Sequence, residues 1–277
     1  MTNEDTVDEA VAIPTLNNEQ EEPAVIAQIR SFSFGSRSVL RNVQLTVGQG
    51  EAVAVLGSSG CGKSTLVRLL AGLLPRGLGQ HFDGDVVLSG VSPSIYRATG
   101  RLAVMFQDPT LLAHMSVEQN IGLPLQLLQR EFSDDVQALL QLVGLHDFRR
   151  YLPRDLSGGM RTRTALARSF VSKPSLLFLD EPFAGLDLGW RESLYSSLQD
   201  LRRRYGTTIV MVTHDLEEAV YNSDRVLIMG GDGTFAEEFR VPGAIPRDYR
   251  FGETIARHTA LLSRLAQLLG SPAMESV

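Results

Sequence analysis

The stretch from Glu51 to Leu74 constrains this chain more than any other. It reads EAVAVLG, then SSGCG, then KSTLVRLLAGLL: a continuous apolar run, a glycine-rich break, and a run with helical apolar spacing. A strand that is apolar at every position is covered on both faces, so the fold needs layers above and below it. Between strand and helix, Gly57-Ser58-Ser59-Gly60-Cys61-Gly62-Lys63-Ser64 fits G-x-x-x-x-G-K-[ST]. The glycines let backbone N–H groups converge on phosphate oxygens, and the helix N-terminus adds positive potential. Lys63 can reach terminal phosphates, Ser64 offers a hydroxyl to Mg²⁺, and Thr65 extends the phosphate-contacting set. Cys61 reads as a bystander in the loop. The bland alternative, a glycine turn with no ligand, leaves the flanking strand and helix unexplained.

The same grammar recurs. SLLFLD at Ser175–Asp180 precedes a helix predicted from about Gly189 to Arg204. TTIVMVTHD, from Thr207 to Asp215, precedes a short helix through Tyr221, and DRVLIM follows as another buried strand. This alternation predicts an α/β fold with a mostly parallel sheet covered by helices. From Ala24 the pattern differs: AVIAQIR and VLRNVQLTV, the second alternating Val43, Leu45 and Val47 with polar neighbours, predict an antiparallel sheet. Between Gln107 and Leu156 the patterning is helical, with Ser116 and Ser133 suited as N-caps, as an inserted helical subdomain would be. An amphipathic helix is expected from about Glu253 to Leu269. The Arg202–Arg204 run reads as a solvated helix end complementing the macrodipole, and Arg76–Phe82 has no assigned role.

Composition removes several classes. The 26 Lys and Arg against 32 Asp and Glu argue against a chain that coats nucleic acid. Seven of those acidic residues fall within residues 1–22, which hold no basic one, and this segment reads as a disordered acidic tail. A single cysteine excludes a disulfide scaffold and fits a reducing compartment. No apolar run approaches the roughly 18 residues of a membrane span, and MTNEDTVDEA is acidic where a secretory signal would be basic.

A phosphate cradle hydrolyses nothing until a metal is fixed and a water oriented. Leu176–Leu179 form a buried run whose end presents Asp180, suited to coordinate Mg²⁺, and Glu181, suited to polarise the attacking water. Upstream, LSGGM at Leu156–Met160 resembles the signature of ABC-type ATPases, and the resemblance covers nearly all of residues 24–245. It implies a P-loop NTPase (RecA-like) core with an antiparallel β subdomain and an inserted α-helical subdomain at about 108–172. The ATPase domain would then run over 23–245 and a C-terminal extension over 246–277.

Carried over position by position, the resemblance implies ATP and Mg²⁺ as ligands. Gln107 in VMFQDP would touch Mg²⁺ and the attacking water. Asp187 in AGLD would stand at a subunit interface, His214 in VTHD would be the switch histidine, and Phe34 in SFG would stack on adenine. Ser157, Gly158 and Gly159 open a helix expected to run to about Val171, offering a hydroxyl and bare N–H groups to an anion. A second phosphate site in one chain suits a head-to-tail homodimer in which each signature closes the other's nucleotide.

With no span of its own, the chain would drive a separate multi-span membrane permease from the cytoplasmic face, with a solute-binding protein as an indirect partner. Phe106, Pro109, Leu111 and Leu112 are candidates for the permease contact or for packing of the subdomain. LSGGMR, DEPFAGLD and THDLEEAV, with VPGAIPRDYR before the terminal helix, are similar to nitrate, sulfonate and taurine import ATPases. The alternatives are an importer ATPase for another solute, a soluble ABC ATPase outside transport, and a non-ABC P-loop kinase. The last leaves LSGGM, Asp187 and His214 without a purpose.

Overall fold

The computed structural model describes residues 22–74, 77, 79–131, 134–186 and 188–241. Most of the acidic tail, Arg76, Ser133, Asp187 and the expected C-terminal helix lie outside the described residues.

Among the described residues, nine strands form two sheets. Strand β1 (Val25–Phe34) sits between β2 (Arg37–Val47) and β4 (Gln80–Leu88), antiparallel to both. The larger sheet runs β5 (Leu102–Met105), β6 (Leu176–Asp180), β7 (Thr208–Thr213), β3 (Ala52–Gly57), β8 (Arg225–Met229) and β9 (Phe235–Arg240). Its first five strands are parallel and β9 returns antiparallel to β8. The α/β architecture with a mostly parallel sheet and a separate antiparallel sheet is therefore present as expected.

The continuous apolar strands follow from being covered on both sides. Strand β3 gives Ala52, Ala54 and Leu56 to one core, and Val53 and Val55 to the other. Strand β7 divides in the same way, with Ile209 and Met211 against Val210 and Val212. The first core lies beneath α3 (Val117–Leu127), α4 (Asp134–Leu142), α5 (Gly158–Phe170), α6 (Leu188–Tyr205) and α7 (Leu216–Asn222). The second joins α1 (Lys63–Leu70) and α2 (Pro93–Ala98) to the inner face of the antiparallel sheet. Among the described residues no helix is long and apolar enough to cross a membrane.

A register shift at Arg30 moves the buried face of β1 from Val25, Ala27 and Ile29 to Phe32. The bulge requires Gly84 opposite, where φ is +150° and a Cβ would collide with the Gln28 carbonyl oxygen. Helix α3 opens on a capping box: the Ser116 hydroxyl accepts from Gln119 N, and Gln119 Oε1 accepts from Ser116 N at 2.9 Å.

One expectation needs correction, and one unassigned stretch gains a role. Arg202 is not a solvated helix end. Its guanidinium donates to Gly50 O at 3.0 Å and pairs with Asp224, tying α6 to the sheet's N-terminal edge. The end of the Arg76–Phe82 stretch does have a role, because Gln80, His81 and Phe82 begin β4 and pair with Phe34, Ser33 and Phe32.

Candidate active site

In an open parallel sheet with apolar strands, polar chemistry collects where the strands end. Spatial neighbours β5, β6, β7 and β3 deliver at their C-terminal ends Gln107, Asp180 with Glu181, His214, and the Gly57–Ser64 loop, in that order across the sheet. A cavity of about 490 Å³ lies there, lined by Ser59, Gly60, Gly62, Lys63, Ser64, Thr65, Gln107 and Glu181. Phe34, Arg37 and Val39 from the antiparallel sheet complete its wall. Sequence reasoning passed over Arg37 and Val39. Position alone brings them here, since they follow the β1–β2 turn that also carries Phe34.

The loop is built to leave donors open. Gly62 precedes α1 at φ +112°, a conformation costly for any residue with a Cβ, and no side chain caps the helix. The first backbone N–H groups of α1 are thus oriented for an anion. Lys63 is buried and folds across the loop, its Nζ donating to Gly57 O at 2.8 Å and Ser58 O at 2.9 Å. Cys61 is buried in the second core and anchors the loop through packing.

Ser64 Oγ donates to Asp180 Oδ1 at 2.9 Å, across 116 residues of sequence. Burial, and secondarily the neighbouring Glu181 charge, push the Asp180 carboxyl above its ordinary value, against the bond from Ser64. A buried carboxylate bonded to the Ser64 hydroxyl, with Gln107 lining the cavity that Ser64 also lines, offers the hard oxygen donors that suit Mg²⁺.

Adjacent residues of a strand point to opposite faces, yet Asp180 bonds the cavity-lining Ser64 while Glu181 lines the cavity itself. The reason is a break in the backbone: Glu181 adopts φ +48° while its N–H still bonds Val212 O at 2.9 Å. Glu181 Oε2 accepts from Gln107 Nε2 at 3.2 Å and lies 3.3 Å from His214 Nδ1. One carboxylate oxygen thus gathers the ends of β5, β6 and β7.

The segment after Gln107 is held by two residues that sequence reasoning missed. Arg168 of α5 donates to Pro109 O at 2.7 Å and Thr110 O at 3.1 Å. The buried Asn120 donates to Leu112 O, Met115 O and Ser116 O and accepts from Leu112 N. Leu111 packs against the first core, whereas Leu112 is exposed.

Ser157 caps α5, its hydroxyl accepting from Met160 N at 3.2 Å. Ser157, Gly158 and Gly159 do not line the cavity. Phe34 is exposed at the cavity rim and packs edge-on against Phe32, with ring centroids 5.0 Å apart.

Comparison with known proteins agrees with this geometry. Residues 40–184 match the family described as ABC transporter. An aliphatic sulfonates import ATP-binding protein of Pseudomonas syringae pv. tomato is 42% identical over 226 residues, covering 79% of this chain and 88% of that protein. Its namesake from Burkholderia cenocepacia is 39% identical over 241 residues, 87% of this chain and 86% of that one. Among solved structures, an ATP-binding cassette dimer in a post-hydrolysis state, bound to ADP and Pi, aligns with a TM-score of 0.70 at 26% identity. The alignment covers 79% of this chain and all of that one. A fold, a phosphate loop and relatives that agree over most of their length lead to one conclusion: this chain belongs to the ABC transporter family, as an ATP-hydrolysing cassette.

Proposed function

We propose that this cassette is the motor of an importer for aliphatic sulfonates, working as a head-to-tail homodimer beneath a multi-span permease. The observation that carries the motor reading is the distribution of phosphate-suited groups. Lys63, Ser64, Glu181 and Gln107 line one cavity, with Asp180 buried behind it and bonded to Ser64, while the uncapped N–H groups of Gly158 and Gly159 belong to a helix end outside it. A second copy, turned head to tail, supplies the missing donors. The sulfonate assignment rests on the relatives' names. The cassette is taken as residues 23–245, with residues 108–172 as its helical subdomain.

In this reading the loop N–H groups and Lys63 hold the phosphates, and Lys63 exchanges its loop carbonyls for the terminal phosphoryl oxygens. Ser64, Asp180 and Gln107 would hold Mg²⁺, which when bound screens the phosphate charges. Phe34 stacks on adenine. Glu181 orients the attacking water and takes its proton as the new oxygen–phosphorus bond forms, and ADP leaves with the electrons of the broken bond. Gln107 and His214 fix that carboxylate from either side. Asp187, outside the described residues, is assigned to the interface between copies by the family resemblance alone.

The test is Glu181→Gln with ATP and Mg²⁺. Turnover should cease while a nucleotide-dependent dimer accumulates in light scattering, and adding Ser157→Arg should abolish that dimer. A monomer that completes turnover alone overturns the reading. For the cargo, deleting the gene in its host should abolish uptake of a labelled alkanesulfonate. Undiminished uptake refutes the sulfonate assignment and leaves the motor untouched.

A further inference from the structure

We propose that Thr213 and Glu218 are positioning residues that clamp the backbone on both sides of His214 and so aim its imidazole at Glu181. The inference rests on the role assigned to His214 above. Glu218 is buried on the first turn of α7, an expensive place for a carboxylate unless it serves its surroundings. At the third helical position such a side chain ordinarily reaches back to the N–H of the N-cap residue. Gln119 does this in α3, accepting from Ser116 N at 2.9 Å.

Glu218 does something different. Its Oε2 accepts from Thr213 Oγ1 at 2.6 Å, and Thr213 Oγ1 in turn accepts from the N–H of Asp215, the N-cap, at 3.0 Å. A hydroxyl from the preceding strand has been inserted into the cap. The relay therefore spans three consecutive residues, binding Thr213 and Asp215 to one carboxylate and leaving His214 between them. Both flanking residues are held again. Thr213 pairs with Leu56 at the base of the phosphate loop, and Asp215 caps Glu217 N and Glu218 N while pairing with Arg191 at 3.1 Å. His214 is the member of the turn whose side chain stays half exposed, with Nδ1 3.3 Å from Glu181.

The experiment is a double-mutant cycle on the full chain, with steady-state ATP hydrolysis measured on the alkaline side of neutrality. Thr213→Val keeps the shape and removes the hydroxyl. It should lower kcat about tenfold with KM for ATP within about twofold, and Thr213→Ser should restore the rate. In a His214→Ala background, Thr213→Val should cost nothing further. An equal loss in both backgrounds means that the hydroxyl serves stability alone, and an unchanged kcat in the single variant removes it altogether. Either result overturns the proposal. If His214→Ala itself turns over at the parent rate, the role of His214 falls instead. The clamp is then judged by the imidazole resonances of His214, which Thr213→Val must shift if the clamp exists and must leave in place if it does not.

Discussion

Glu181 offers a test in which backbone conformation and chemistry separate. Its φ of +48° is in the left-handed region, which costs an ordinary residue about 1–2 kcal/mol because Cβ crowds the carbonyl oxygen. Glycine escapes that cost but loses about 0.5–1 kcal/mol more chain entropy on folding. Comparing Glu181→Gly with Glu181→Ala cancels the carboxylate, its bond from Gln107 and its pairing with His214, since both variants lack them. What remains favours glycine by roughly 1 kcal/mol, or about 2–4 °C in melting temperature for a domain of this size. At an ordinary strand position the order would be reversed, alanine above glycine. Thermal melts of the two variants under one buffer read the sign directly, while phosphate release should fall about 100- to 10,000-fold in both. An alanine variant that melts at or above the glycine variant would refute the claim that the backbone is bent to bring two neighbouring carboxylates to one site.

Two further outcomes follow from the same geometry. Lys63→Ala should weaken ATP binding or turnover, measured by nucleotide titration and phosphate release, because a buried cation at the phosphate loop is lost; unchanged affinity and rate would remove Lys63 from the site. Burial pushes the Glu218 carboxyl from its ordinary 4.5 up to about 7, aided by the Asp215 charge and opposed by the Thr213 bond, Arg191 and His214. The native state therefore holds a proton that the unfolded chain has released, so this group's contribution to stability declines as pH rises from about 4.5 through about 7. Glu218→Gln does not titrate. Its urea midpoint should gain on the parent's across that window, and a constant difference between the two would contradict the assignment.

The parts of this fold that were legible in the sequence are those whose signals are local. Strands β3, β6 and β7 announce themselves because both faces are covered, and α5 and α6 lie within a residue or two of their expected ends. Ser116 caps where its spacing predicts. What stayed hidden depends on partners far away in the chain. Strand β4, QHFDGDVVL, carries a glycine, a histidine and two aspartates and buries only Val86 and Leu88, so it becomes a strand only by pairing with β1. Strand β5 is four residues long, too short for any periodicity. Arg202 reads as solvated until Gly50 and Asp224 are brought beside it. The candidate site divides along the same line: its residue types were visible in the motifs, whereas the roles of Arg37, Val39, Arg168 and Asn120 came only with the tertiary contacts.

The division of the strands between two cores also explains why the site stands where it does. Every interior position of β3, β6 and β7 is spent on one apolar layer or the other, so no polar side chain can project from the middle of the sheet without being buried unpaired. Chemistry is left to the residues just past each strand. There the parallel arrangement places neighbouring ends side by side, close enough for Ser64 to meet Asp180 and for Gln107 and His214 to meet Glu181. The same constraint forbids the sheet from enclosing a nucleotide, because one edge of the strands can supply only one wall. In the head-to-tail arrangement proposed above, the second wall is the helix end at Ser157–Gly159 of another copy. Nucleotide binding and closure of the two copies then become a single event, and that coupling is what a transport motor requires.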